Sequence, residues 1–254
     1  VVPRKNRPYI HGYFSFLEVK MIEEFRKYVS NYDLNNIKIK SKYDHSIRVM
    51  ELSQKYSKKL GFSDYDIKLA SLIGLLHDIG RFEQVKQYDS FEDKKTIDHA
   101  NLGVKILFDD GLIEKFWDNK DEHELIKLAI KNNNKFKIED ITDERIMEHA
   151  KLIRDIDKID IMHIYGISNK LRSDISEISE SIINSVRNHS EILRTNEKTK
   201  NDEIVTAFAW AFDINYDECL EEFKTNLNIF YNILDHKEKF DEVIDIVNKY
   251  MDER

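Results

Sequence analysis

The stretch LASLIGLLHDIGRFEQ, residues 69–84, decides the fold. Its first eight residues are Leu, Ile, Ala, Ser and Gly, the composition of a helix buried on every side. The run then ends in His77-Asp78. An imidazole and a carboxylate placed side by side in a core cost several kcal/mol unless something binds them. A divalent cation is the usual partner. The question for the rest of the chain is whether it supplies further ligands.

Composition supports long helices around this segment. Only 2 prolines and 7 glycines occur in 254 residues, and Pro3 and Pro8 both lie in the first ten. Folds made of strands and tight turns need more punctuation than that. The expected class is therefore all-α. A net charge of -8 argues against general nucleic-acid binding. One cysteine, Cys219, excludes an internal disulfide and a Cys-rich zinc site. No apolar run reaches the roughly 18 residues of a membrane span. A cytoplasmic location is expected, and oligomeric state is not legible.

Working outward, residues 1–20 carry both prolines and many basic and aromatic side chains. They read as an N-terminal extension, not native to the domain, with His11 incidental. Helices are expected from Met21, from about Tyr43 to Leu60 with Gly61 as the stop, and from Asp64 to His77. A polar loop over 82–96 follows, then a helix over 97–110 ended by Gly111. A short helix covers 121–131, and NNNK at 132–135 breaks it. A long helix opens with TDER at 142–145 and runs to about Ile164. Another helix is expected over 168–190, a loop over 191–200 and two or three helices over 201–252. The expected units are a core over 21–166 and a C-terminal helical lobe of the same body over 167–254.

Two of these helices turn ligand-type residues inward. Ile146, Ala150, Ile153, Asp157, Ile161 and Ile164 follow helical spacing, so Asp157 lies mid-stripe. His45 shares a face with Val49, Leu52 and Tyr56, and Arg48 lies one turn away. Alone, Asp157 reads as a buried carboxylate satisfied by a cation or backbone, and His45 as a core histidine. Together with His77-Asp78 they make two imidazoles and two carboxylates. That set suits one divalent ion, namely Mn, Fe, Ni, Co, Zn or Mg, with positions left open for reaction.

The order His, His-Asp, Asp on a helical body resembles the HD-domain phosphohydrolases. The segments are KYDHSIRVMEL at 42–52, LLHDIGRFEQ at 75–84, DHANLGVKILF at 98–108 and RDIDKID at 154–160. The resemblance implies that His45, His77, Asp78 and Asp157 are metal ligands, the last agreeing with the helical stripe. It implies that Arg81 and Lys158 meet a phosphate. Arg48 is a substrate contact or a buried partner for Asp78 or Asp155. His99 corresponds to a histidine that binds a second ion or donates a proton to the leaving oxygen. Where two-metal members carry another histidine, this chain has asparagines, so one metal is favoured and Asn133 becomes a substrate contact. Asp98 is expected to orient His99, and Glu83 to act as base.

His123 could replace the missing histidine but sits about a helix length too early; His149, His163, His189 and His236 read as structural or surface residues, and Phe208, Trp210 and Phe212 as core. Cys219 has no nucleophile context. The implied function is a metal-dependent phosphohydrolase cleaving a phosphomonoester or phosphodiester of a nucleotide. The alternative is an HD-fold nucleotide-binding sensor with weak or lost chemistry. Its partner is a small phosphorylated molecule, with no membrane partner.

Overall fold

The computed structural model describes residues 16–168, 171–193 and 196–254. His11 and the rest of residues 1–15 lie outside them. Among the described residues the chain is helical and has no strand, as expected.

Helix α1 (Phe16–Val29) begins five residues before the expected Met21. Glu18 in it is buried and accepts from Gln54. Helix α2 (Ile37–Lys59) is capped by Asn36, whose side chain accepts from Lys38 N, and so starts earlier than Tyr43. Helix α3 (Asp64–Leu76) is capped by Ser63, not Asp64. Helix α4 (Gly80–Tyr88) occupies much of the expected 82–96 loop. It is polar on its outer face, while Phe82 and Val85 are buried. Phe82 packs edge-on to Phe25 of α1, ring centroids 5.7 Å apart.

Helices α5 (His99–Val104), α6 (His123–Asn132) and α7 (Glu144–Ser168) complete this part of the chain. The expected helix over 168–190 is only α8 (Glu180–Arg187). Helices α9 (Lys200–Phe208), α10 (Asp217–Asn232) and α11 (Asp241–Asp252) follow. Thr199 and Asp202 close a reciprocal cap on α9.

Helix α2 lies against α3 and α7, and α7 lies between α6 and α10. One apolar cluster runs from Met21 to Met251. Burying each of its large side chains contributes roughly 1.5–3 kcal/mol. Gly74 allows α3 to approach α2, since a Cβ there would stand 2.8 Å from Val49 O. His77 and Asp78 occupy the tight turn between α3 and α4, where Ile79 N bonds Leu76 O and Arg81 N bonds Asp78 O. From there His77 reaches His45 of α2 and Asp157 of α7, and Asp78 reaches Lys42 and His45 of α2.

Candidate metal centre

His77 Nδ1 lies 2.8 Å from Gly74 O, an oxygen that can only accept. His45 Nδ1 lies 2.6 Å from a carboxylate oxygen of Asp160. Each ring therefore carries its proton on Nδ1 and presents the lone pair of Nε2. The two Nε2 atoms face each other at 3.2 Å. Asp157 Oδ1 lies 3.1 Å from the first and 3.5 Å from the second. Asp78 Oδ2 lies 3.5 and 3.6 Å from the same two nitrogens. Lone pairs that converge this way repel unless a cation sits among them.

The donor set fits a divalent ion. Ligands about 2.1 Å from a metal stand roughly 3.0–3.4 Å from one another. Asp157 Oδ1 is buried and receives no hydrogen bond. His45, His77 and Asp157 form a group whose ligand atoms lie within 4.8 Å of one another. Asp78 joins the two histidines but also carries Lys42, whose Nζ lies 2.5 Å from its Oδ2.

Electrostatics point the same way. Burial pushes the Asp157 carboxyl up, but the His45 and His77 imidazoles hold it well below the usual carboxylate range. Burial raises Asp78 as well, and Lys42, His77 and His99 outweigh it. Burial and Lys42 act to lower His45, yet Asp157 and Asp160 raise it overall. The pocket calls for positive charge at its centre.

Asp160 holds the site from behind. Arg48 donates Nε to its Oδ1 at 2.7 Å and Nη2 to its Oδ2 at 2.8 Å. Burial raises the Asp160 carboxyl, but the His45 and Arg48 hydrogen bonds outweigh it and hold it at about pKa 2. Arg48 thus meets Asp160, a partner the sequence reading did not name. Asp155 is satisfied by N–H donors of Asn215 and Tyr216, and burial pushes it up to about 6.

His99 lies on the other side of Asp78. Its Nε2 is 3.2 Å from Asp78 Oδ1, and its Nδ1 is 2.6 Å from Asp93 Oδ2. Asp93, not Asp98, orients this ring. Asp98 is the N-cap of α5 and accepts from Asn101 N at 2.9 Å. Arg81 Nη1 binds Asp93 Oδ1 and Phe91 O, each at 2.7 Å, while its buried Nε has no hydrogen bond. Arg81 Nε lies 3.6 Å from Asp78 Oδ1, so the guanidinium borders the metal group.

Two expected residues, Glu83 and Lys158, point elsewhere. Glu83 is two positions beyond Arg81 on α4, about 200° around the helix. It accepts from Tyr32 and Gln87. Lys158 is one position from Asp157, about 100° around α7, and pairs with Asp213. Asn133 is buried with an unpartnered Oδ1, but the amide that reaches the His99 side is Asn134, with Nδ2 3.3 Å from both Asp93 and Asp98. His123 bonds Trp117 O. Sequence reasoning missed Asp160, Asp93, Asn134 and Lys42. Two of these had a signal: Lys42 and Asp160 sit one helical turn from His45 and Asp157.

Residues 43–162 match the family model of the HD domain. That stretch is an all-α HD domain, a type of domain that implies a metal-dependent hydrolase family. No curated protein and no solved structure matches the chain. Among the described residues, no helix is long and apolar enough to cross a membrane.

Proposed function

We propose that this protein is a metal-dependent phosphohydrolase acting on a phosphomonoester or phosphodiester, with a nucleotide as the preferred substrate. The observation that carries the reading is the convergence of His45 Nε2, His77 Nε2 and the unpartnered Asp157 Oδ1 on one point. His45, His77, Asp78 and Asp157 would hold one divalent ion. Such an ion supplies polarisation of a phosphoryl oxygen and a nucleophilic water near neutral pH.

The remaining work falls to the chain's own side chains. Asp160 and Gly74 O fix both imidazoles in the tautomer that leaves Nε2 free. Arg81 offers its spare Nε–H to a phosphate oxygen beside Asp78. His99 turns Nε2 toward Asp78, where it can pass a proton to the leaving oxygen, with Asp93 on Nδ1 setting its orientation. Most of the catalysis of phosphoryl transfer is such positioning and charge neutralisation.

The test is a screen of the full chain loaded with Mn or Ni against p-nitrophenyl phosphate, bis(p-nitrophenyl) phosphate and nucleoside monophosphates. Metal-dependent turnover that Asp157→Ala abolishes is expected. Tight nucleotide binding without turnover would instead favour the sensor.

A further inference from the structure

Lys42 belongs to α2, one turn before His45, and its side chain is only 18% exposed. An ammonium group has three donors. One goes to Asp78 Oδ2 at 2.5 Å. The ammonium also lies 5.5 Å from the centre of the Phe91 ring, and the Arg81 guanidinium lies 5.7 Å from the same ring. Lys42 and Arg81 thus flank Asp78, one at each carboxylate oxygen, with Phe91 closing the space between them.

The local charges identify the surplus. A divalent ion would neutralise Asp78 and Asp157. Arg48 is paired with Asp160, and Arg81 with Asp93. Lys42 is then one positive charge in excess, largely withdrawn from water. A buried charge in that position is costly unless an anion meets it.

We propose that Lys42 is a substrate-binding residue: it receives an oxygen of the substrate's phosphoryl group next to the metal, sharing it with Arg81 Nε. Its flexible four-carbon stem lets the ammonium pivot from Asp78 while staying over Phe91. This rests on the phosphohydrolase reading.

The experiment compares wild type, Lys42→Met and Lys42→Arg as full chains loaded with Mn. Calorimetry measures binding of the metal alone and then of inorganic phosphate, and circular dichroism checks folding. Lys42→Met should keep metal affinity within about threefold and weaken phosphate binding about tenfold or more, with partial recovery in Lys42→Arg. Unchanged phosphate affinity in Lys42→Met overturns the proposal. So does a loss of metal affinity with no loss of phosphate affinity once metal is saturating. If wild type binds phosphate with the Lys42 dependence stated but hydrolyses no ester, the phosphohydrolase reading fails and the binding role of Lys42 stands.

Discussion

Asp160 Oδ2 lies 2.6 Å from His45 Nδ1, and the same carboxylate takes both donors of the Arg48 fork. A buried carboxylate behind a histidine fixes its tautomer and raises its basicity as a ligand. Asp160→Asn can turn an N–H toward Nδ1 and reverse that tautomer. It should weaken Mn or Ni binding about 10–100-fold while the helices stay folded. Calorimetric titration reads this directly, and unchanged metal affinity would remove Asp160 from the account.

Asp93 and Asp98 are five residues apart but do different jobs. Asp93 holds His99 Nδ1, and Asp98 caps α5. Asp93→Asn should lower kcat by about 10²-fold or more at unchanged metal content, through a misoriented proton donor. Asp98→Ala should leave kcat near wild type and cost about 1 kcal/mol of stability, the ordinary loss for an N-cap. Steady-state kinetics and urea unfolding of the two variants distinguish these outcomes. The reverse ranking would restore Asp98 as the residue that orients His99.

Gly80 sits where α4 meets α5. A Cβ on it would overlap His99 O and stand 2.7 Å from Gly103 N, both backbone atoms that cannot step aside. On Gly103 the nearest atom would be Ile79 Cγ2 at 3.3 Å, a side-chain methyl that can shift. Gly80→Ala should therefore destabilise by about 2–3 kcal/mol and displace His99, whereas Gly103→Ala should cost about 1 kcal/mol or less. Thermal unfolding supplies the comparison, and equal losses would contradict the close approach.

His149 is buried against Phe62, with its Nε2 3.2 Å from Asp66 Oδ1. Burial lowers its pKa, and Asp66 only partly opposes this. The folded chain thus binds this proton more weakly than the unfolded chain does. The contribution of the neutral ring is complete above the unfolded value of about 6.5 and is lost as pH falls below it toward the folded value. Urea midpoints measured between pH 8 and pH 5 should decline more steeply for wild type than for His149→Gln. Parallel curves would show that another group sets the slope.

Much of the centre was legible because it is local. The apolar run into His77-Asp78 and the stripe through Asp157 are patterns within single helices, and the structure turns both toward His45. The residues misread are charges whose partners lie across tertiary contacts. Arg48 meets Asp160 on α7, and Lys158 meets Asp213 near α10. Long flexible side chains on neighbouring helical positions do not announce which way they reach. Glu83 and Asp98 failed for a different reason. Their positions on or before a helix already committed them, Asp98 to capping and Glu83 to the face that meets Tyr32. Helix α4 was hidden by its polar outer face, and 171–179 read as helical although its chain is irregular.

The most direct measurement is calorimetric titration of Mn into the metal-free full chain, beside Asp157→Ala and His77→Ala. One ion per wild-type chain is expected, with binding lost in both variants while circular dichroism still reports a helical protein. Wild-type affinity retained in Asp157→Ala, or no ion bound by wild type, would contradict a metal centre built on His45, His77, Asp78 and Asp157.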